Sequence, residues 1–532
     1  MTHGPAEAGH YALRLRVVLG LAVLLACGVH DTSRAQDRGQ IAERQRALAM
    51  FARAYYPGRS GQIMIVPREG SIIVGRTDPA VKFMHGSPWR YDTRIPLLFY
   101  GSPYVRKGTF QAAARQQDLM PTVARVLDLP VPPTVTGRAL LEALNIAVLR
   151  GAPQAGAATS TPSAGGPPRI VVVTVLDGMR VDYFDRYASV MPTLDRLRRE
   201  GAWFANTSVD YLPSITGLGH ATVATGTDPR YHGTTGNSLF DRVALKAQDT
   251  FAGNSPRDLM ALNLADAWNL QTRGRAVIVA QGSSVPAAVG LAGHGACLFG
   301  ARPIVMASYS RQSGAWTSND ACYILPEYVK PRNARTVWEA AGGRWMGHDI
   351  ANADAVRRTS LFARFETDTL LSMIDGQAVG ADETADLVLV NFKTPDFVAH
   401  SYGPDSPELR ETLAELDRQF ARLLDAVERK APGRYLIALT ADHGMPGEPS
   451  GTARRAYTED IVRLVHDRFD PEAKLVLHYE PENCQLAIDV DRLTGLKHTL
   501  KDVARLLEQQ PFVFAAFTED EVRRAAMLLP AR

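Results

Sequence analysis

The sequence predicts an α/β fold, a three-layer αβα sandwich with a mostly parallel central sheet. Three strongly apolar stretches carry this prediction: Ile170–Leu176, Ala385–Phe392 and Tyr435–Thr440. Near-continuous apolar strands that alternate with amphipathic helices are typical of a parallel sheet covered on both faces. We also expect a cap subdomain, inserted at about residues 240–370.

The predicted elements lie on both sides of a segment rich in Gly, Ala, Ser and Pro. Before it, the sequence predicts the strands Gln62–Val66, Ser71–Val74 and Ile95–Gly101 and a helix near Gln116–Leu127. After it, the sequence predicts the strands Ile170–Leu176, Ala276–Ala280, Ala385–Phe392 and Tyr435–Thr440 and the helices Met191–Gly201 and Pro407–Lys430. The segment itself, residues 149–169, is predicted to be a flexible linker because it has no apolar period. It separates a first part, residues 40–148, from a main part, residues 170–532.

The N-terminus has the features of an export signal at residues 1–35. Arg14 and Arg16 precede the uncharged stretch Val17–Val29, which suits a signal peptide and is short for a membrane span. Ser33-Arg34-Ala35 offers a small-x-small cleavage site. Cys27 ends a lipoprotein-like box, so a lipid anchor stays an alternative. We expect an exported protein, periplasmic or secreted, that contacts the membrane only if Cys27 is lipidated.

The composition is that of an ordinary soluble globular enzyme. The chain has 45% hydrophobic and 22% charged residues and a net charge of +3. This charge is too small to indicate a nucleic-acid partner, and the sequence contains no Lys/Arg run. Cys297 and Cys322 either form a disulfide or remain buried free thiols.

Carboxylate and imidazole side chains follow three of the predicted strands. Asp177 follows the first, Asp396 and His400 follow the second, and Asp442 and His443 follow the third. Open α/β sheets bind ligands at the carboxyl ends of their strands, so we expect these side chains to meet. Each motif alone is weak evidence, since most such pairs are solvated surface groups. Their combination predicts a metal centre.

A candidate nucleophile lies at the predicted start of a helix. Thr216 offers a hydroxyl group, and Gly217 and Gly219 allow backbone N–H groups to approach an anion. The alternative is that Thr216 only caps the helix, which is common for threonine at such a place. His220 is expected to be structural, as are His232 and His294.

These motifs together resemble the alkaline phosphatase superfamily. The resemblance is carried by Asp177, Thr216 in TGLGH, Asn237 in HGTTGN, Asp396 with His400, Asp442 with His443, and His85 in HGSPWRYDTR. More closely, the chain resembles the type I phosphodiesterase/nucleotide pyrophosphatase branch and the related bacterial PafA-type phosphatases. The resemblance covers nearly all of residues 44–525.

The resemblance implies two Zn²⁺ ions and a phospho-threonine intermediate on Thr216. Asp177, Asp442 and His443 would hold one ion beside Thr216, and Asp396, His400 and His85 would hold the other. Asn237 and the Thr216 backbone N–H would bind a phosphoryl oxygen. The substrate would be a small-molecule phosphate ester, with no nucleic-acid polymer as partner, and we expect a monomer.

Two departures from the family pattern affect these expectations. His85 lies near the N-terminus, whereas the family has the corresponding histidine near the C-terminus. The chain therefore resembles a circular permutant. The alternative is that the order of the segments is an artefact of the gene model. PafA-type monoesterases carry a Lys-x-Arg pair where this chain has Ser284 and Pro286. Without that positive charge we expect a phosphodiesterase. A broad phosphomonoesterase is the first alternative, and an inactive envelope binding protein is the second.

Overall fold

A ten-stranded mixed sheet forms the centre of the fold in the computed structural model, which describes residues 38–149, 166–482 and 484–530. The strands in chain order are β1 Ile63–Pro67, β2 Ile72–Val74, β3 Leu97–Tyr100, β4 Gly108–Phe110, β5 Ala114–Arg115, β6 Ile170–Leu176, β7 Ala202–Phe204, β8 Thr207–Ser208, β9 Ser238–Asp241, β10 Lys246–Asp249, β11 Ile278–Gly282, β12 Ile304–Tyr309, β13 Trp316–Thr317, β14 Tyr323–Ile324, β15 Arg344–Trp345, β16 His348–Asp349, β17 Asp386–Phe392, β18 Tyr435–Thr440, β19 Arg455–Tyr457, β20 Val476–Glu480, β21 Gln485–Ile488 and β22 Val513–Thr518.

Helices cover this sheet and connect its strands. In chain order they are α1 38–54, α2 Arg90–Thr93, α3 Leu119–Val126, α4 Ile146–Leu149, α5 Tyr183–Arg186, α6 Pro192–Glu200, α7 Thr216–Thr225, α8 Pro229–His232, α9 Leu264–Thr272, α10 Val285–Ala292, α11 Arg335–Ala340, α12 Ala353–Val356, α13 Leu361–Gly376, α14 Thr394–Tyr402, α15 Pro407–Lys430, α16 Thr458–Phe469, α17 Val490–Gly495, α18 Leu500–Glu508 and α19 Glu519–Leu528.

The strand order of the central sheet is β13-β12-β11-β17-β6-β18-β3-β7-β4, with β14 paired to β12. The run from β12 to β18 is parallel throughout. β3 is antiparallel to both of its neighbours, β18 and β7. The predicted α/β fold with a mostly parallel sheet is therefore confirmed, with antiparallel strands on either side of the parallel run.

Both faces of the sheet are buried, as the unbroken apolar strands require. In β6, Val172 and Leu176 belong to one core cluster, while Val171, Val173 and Val175 belong to the other. Helix α15 contributes its apolar stripe to the first cluster, and helices α3, α7 and α10 contribute to the second. Successive strand side chains point to opposite faces, so these clusters are the two interfaces of a three-layer sandwich.

Residues 38–149 are an integral part of this domain. Their strand β3 lies between β18 and β7 in the central sheet. Their strand β1 lies between β21 and β22 in a separate four-stranded sheet of order β20-β21-β1-β22. Residues 38–149 and residues 166–530 therefore both contribute strands to the same two sheets.

The cap expected at about residues 240–370 needs one correction. Strands β11 and β12 fall inside this range, yet they belong to the central sheet, because β11 pairs with β17 and β12 pairs with β11. Outside that sheet the range contains the hairpins β9–β10 and β15–β16. Trp316 and Tyr323 are buried in the core.

Cys297 and Cys322 form a disulfide, so they are not the free thiols that the sequence left as the alternative.

Within the described ranges, every helix is too short or too polar to cross a lipid bilayer. The predicted signal peptide at 1–35, Cys27 and most of the predicted linker lie outside the described residues.

Candidate active site

Three adjacent parallel strands deliver acidic and imidazole side chains to one edge of the sheet. Asp177 directly follows β6, Asp396 lies in the first turn of α14 after β17, and Asp442 follows β18. Because β17 and β18 flank β6 with parallel register, their carboxyl ends meet. All three carboxylates are fully buried. The sheet topology thus brings together side chains that are distant in the sequence.

His85 reaches the same place from the first part of the chain. It lies in the loop before α2, and its ring packs 3.5 Å from the ring of His443, centroid to centroid. The ring of His400 lies 5.1 Å from the ring of His85. The structure therefore brings together all six side chains that the family resemblance singles out as ligands.

The ligand atoms form three groups whose members all lie within 4.8 Å of one another. These groups are His85 with Asp396 and His400, Asp177 with Asp396 and His443, and Asp177 with His220 and Asp442. The first group has the same members as one of the two expected zinc sites. The residues expected for the other site are divided between the second and third groups, with His220 added.

Each candidate ligand histidine is held by a backbone carbonyl. Nδ1 lies 3.0 Å from Ser214 O in His85, 2.6 Å from Phe83 O in His400 and 2.9 Å from Gly444 O in His443. A carbonyl only accepts, so Nδ1 carries the hydrogen, and Nε2 is the nitrogen that can bind a metal ion when the ring is neutral. In His400 and His443, Nε2 lies 3.3 Å and 3.2 Å from a carboxylate oxygen. This is the orientation of metal-binding imidazoles.

Several buried polar atoms of this cluster lack a hydrogen-bond partner among the described residues. They are Asp396 Oδ1, Asp442 Oδ2 and His220 Nε2. Buried polar atoms are nearly always satisfied, so orphaned acceptors in one cluster indicate a place for cations. The donor set of carboxylate oxygens and imidazole nitrogens fits divalent metal ions, zinc among them.

Burial dominates the electrostatics of the cluster. It lowers the pKa of His85 to about 3 and that of His443 well below its usual value, so both imidazoles are neutral, the form that binds metal. Burial raises the pKa of Asp177 to about 6 and raises that of Asp442 well above its usual value. For Asp396 the opposing influence of His400 and Lys393 outweighs burial and lowers the pKa.

Thr216 lies at the first residue of α7 and points into the cluster. Its Oγ1 is 3.3 Å from His443 Nε2 and 2.8 Å from Lys393 Nζ. Ile215 occupies the N-cap position, so the hydroxyl of Thr216 does not serve as the helix cap. A Cβ added at Gly219 would lie 2.5 Å from Asp442 Cβ, so only glycine allows α7 to approach this closely.

Asn237 lies beside the N-terminus of α7. Its Oδ1 accepts a hydrogen bond of 2.8 Å from Gly217 N, and its Nδ2 donates to the carboxylate of Glu482. Pro286 is also close to this helix end, since a Cβ added at Gly217 would lie 3.5 Å from Pro286 Cβ, and Ser284 precedes it as the N-cap residue of α10. We call Asn237, Ser284, Pro286 and Glu482 the rim. The rim contains one carboxylate and no basic side chain.

Three residues of this site were not singled out by the sequence. Lys393 carried a weak signal, because it directly follows an apolar strand and lies three residues before Asp396. Glu482 carried none, since it lies in an irregular loop that only the tertiary fold brings to Asn237. His220 was expected to be structural, yet its Nδ1 lies 3.0 Å from Thr216 O while its Nε2 faces the carboxylates.

His232 and His294 lie outside the cluster. His232 bonds to Thr222 Oγ1 through Nε2 and accepts from Thr234 N through Nδ1. His294 bonds to Asp266 Oδ2 and to Leu259 O. Both nitrogens of each ring are thus occupied by protein atoms, as expected for structural histidines.

Comparisons with known proteins identify the family of this chain. The sequence model of one family, type I phosphodiesterase / nucleotide pyrophosphatase, matches residues 171–525. The chain is 27% identical to alkaline phosphatase PafA of Elizabethkingia meningoseptica over 69% of this chain and 78% of that protein. It is 24% identical to alkaline phosphatase PhoV of Synechococcus elongatus over 65% of this chain and 72% of that protein.

The fold also has a counterpart among solved structures. The crystal structure of wild-type PafA matches with a TM-score of 0.55 and 22% identity, covering 66% of this chain and 78% of that chain. The fold and the site thus define a phosphoric ester hydrolase of the alkaline phosphatase superfamily. Within it, the chain belongs to the type I phosphodiesterase / nucleotide pyrophosphatase family.

Proposed function

We propose that this hydrolase is a zinc-dependent phosphodiesterase that uses Thr216 as its nucleophile. The observation that carries the proposal is the position of the Thr216 hydroxyl, at the N-terminus of a helix and in contact with His443 and Lys393 inside the acidic cluster. A helix N-terminus offers unpaired N–H groups and a positive partial charge to a phosphoryl group. The three groups of ligand atoms beside it supply the metal sites.

Two zinc ions fit the donor set. Asp177, Asp442 and His443 would hold one ion, and Asp396, His400 and His85 would hold the other. Bound there, zinc would act as a Lewis acid on the hydroxyl and phosphoryl oxygens. Asn237 and the Thr216 backbone N–H would bind a non-bridging phosphoryl oxygen, with Glu482 holding the Asn237 amide in its orientation.

The charge of the rim supports a diester substrate. A phosphate monoester carries nearly two negative charges at neutral pH, whereas a diester carries one. At the rim, Ser284 and Pro286 supply no positive charge, and the carboxylate of Glu482 contacts the amide proposed to bind the phosphoryl oxygen. A second negative charge on the substrate would be repelled there. The competing proposal, a broad phosphomonoesterase, is favoured by the alkaline phosphatase names of the two relatives above.

A test of the nucleophile compares the zinc-loaded protein with Thr216→Ala and Thr216→Ser on bis-p-nitrophenyl phosphate and p-nitrophenyl phosphate. We expect Thr216→Ala to lose more than about 10⁴-fold in kcat, because it removes the reacting atom. Thr216→Ser keeps a hydroxyl group and should retain much of the activity. Unchanged turnover in Thr216→Ala would exclude the nucleophile assignment, and no activity in any form would favour an inactive binding protein.

A test of the substrate class uses the rim. Glu482→Gln removes one negative charge and should raise the ratio of monoester to diester kcat/KM about tenfold. Ser284→Lys combined with Pro286→Arg should raise the same ratio further. A ratio that stays flat in both variants would remove the basis for the diester preference.

We also propose that the chain order is a circular permutation of the family fold. The family match begins at residue 171, so it leaves out the part that carries His85. That part nevertheless supplies β3 to the central sheet and His85 to the cluster. Residues 149–169 would connect the two parts.

We further propose that the protein is exported by the segment 1–35 and acts as a monomer. The Cys297–Cys322 disulfide supports export, because disulfides persist in oxidising compartments.

A further inference from the structure

Lys393 is a buried lysine whose ammonium contacts the proposed nucleophile. It follows β17 directly and occupies the N-cap position of α14. Its side chain is 6% exposed, and its Nζ lies 2.8 Å from Thr216 Oγ1. A positively charged group thus touches the oxygen that would attack phosphorus.

The remaining contacts of this ammonium fix its position. Nζ donates to Asp177 Oδ1 at 2.8 Å and to Asp396 Oδ2 at 2.6 Å. Together with Thr216 Oγ1, these oxygens satisfy the three hydrogens of the ammonium. Lysine is ordinarily an ammonium at neutral pH, and the two carboxylates beside Nζ are the acceptors that this charged form needs.

The backbone of Lys393 is held as firmly as its side chain. Its N–H donates to Glu366 Oε1 at 3.0 Å. The buried Glu366 of helix α13 also accepts hydrogen bonds of 2.6 Å from Ser283 Oγ and from Thr394 Oγ1. This carboxylate therefore ties the ends of β11 and β17 together at the site, and a preorganised support of this kind keeps a charged group in one place.

We propose that Lys393 is a catalytic residue, whose ammonium orients the Thr216 hydroxyl oxygen and stabilises the negative charge that develops on it during phosphoryl transfer. The inference rests on the proposed role of Thr216 as nucleophile. In the first half-reaction the Oγ–P bond forms, the ester P–O bond breaks, and the hydroxyl proton ends on the released alcohol. In the second, water attacks phosphorus, the Oγ–P bond breaks, and Oγ regains a proton from that water.

The Thr216 oxygen carries partial negative charge in both transition states, once as the attacking and once as the leaving atom. A fixed ammonium beside it stabilises both, and removal of one preorganised donor of this kind costs about 100-fold in kcat. Lys393 acts on the nucleophile, whereas the rim acts on the substrate. Loss of Lys393 should therefore slow monoester and diester turnover by the same factor.

The experiment compares Lys393→Met, Lys393→Arg and the matched control Lys430→Met, each loaded with saturating zinc. Lys430 lies at the end of α15 and pairs with Asp375, away from the site. Turnover is measured on both p-nitrophenyl substrates, and zinc per chain is measured by mass spectrometry of the metal. We expect Lys393→Met to lose about 100-fold in kcat on both substrates while it keeps its zinc.

The zinc measurement separates catalysis from a structural role. Removal of the ammonium beside Asp177 and Asp396 relieves its repulsion with bound zinc, so the affinity of the protein for zinc should not fall. Lys393→Arg keeps the charge and should lose less kcat than Lys393→Met. The inference on Lys393 would be overturned by full kcat in Lys393→Met, or by a loss of kcat that follows a loss of zinc. Activity that persists in Thr216→Ala would instead overturn the proposed function.

Discussion

Five histidines of the described chain form two sets that differ in how their ring nitrogens are used. In His85, His400 and His443, one nitrogen contacts a backbone carbonyl and the other faces the carboxylates of the cluster. In His232 and His294, protein atoms occupy both nitrogens. Burial alone therefore does not mark a ligand histidine. The mark is one nitrogen held by a carbonyl while the other belongs to a group of at least three candidate ligand atoms, all within 4.8 Å of one another.

The largest expected effect concerns His85, the ligand candidate supplied by the first part of the chain. We expect His85→Ala to lose one zinc ion per chain and more than about 100-fold in kcat/KM, because it removes a direct ligand rather than a supporting group. Zinc content is measured alongside turnover of bis-p-nitrophenyl phosphate. His232→Asn is the matched control and should keep its zinc. Equal zinc content in both variants would contradict the assignment of His85.

His220 combines features of both sets and sharpens the comparison. Its Nδ1 lies close to Thr216 O, while its Nε2 has no hydrogen-bond partner in the described structure and lies 4.0 Å from Asp177 Oδ2. We expect His220→Asn to weaken zinc affinity about tenfold, less than His85→Ala does. Competition with a zinc chelator measures this affinity. An unaltered affinity would place His220 with His232 and His294.

The smallest expected effect is on the pH dependence of stability and concerns His232. Burial lowers its pKa to about 3 in the folded chain, against 6.5 in the unfolded chain. Between these values the unfolded state binds the extra proton, so stability is lost as pH falls from 7 towards 3. Between pH 7 and pH 5 the metal-free protein should lose about 2 kcal/mol more than His232→Asn. Urea unfolding at both pH values measures the difference, and equal losses would contradict the depressed pKa.

Much of the site was predictable because it follows from periodicity and topology. Asp177, Asp396 and Asp442 each follow an apolar strand, and parallel strands place such residues at one sheet edge. His85 could be found only through the resemblance to a family, since its own surroundings show no periodic pattern. Glu482 could not be found, because its contact with Asn237 depends on how an irregular loop lies against the domain.

Some parts of the fold were likewise predictable from the sequence and others were not. The parallel run from β12 to β18 was predictable, since its strands are unbroken apolar segments. The extent of the cap was not, because apolar segments such as β11 and β12 do not reveal their sheet partners, which are β17 for β11 and β11 for β12. The disulfide was equally undecided, since two cysteines in a sequence carry no geometry.

The position of β3 between β18 and β7 has a consequence for synthesis of the chain. Leu97–Tyr100 is made early, yet β18, to which it pairs, lies in the last quarter of the chain. Until that strand emerges, β3 can pair in the central sheet only with β7, and its other edge stays unpaired. Pairing between such distant segments slows folding and prolongs the exposure of an apolar, aggregation-prone strand. A ribosome stalled before residue 435 should therefore carry a chain that chaperones bind through residues 97–100.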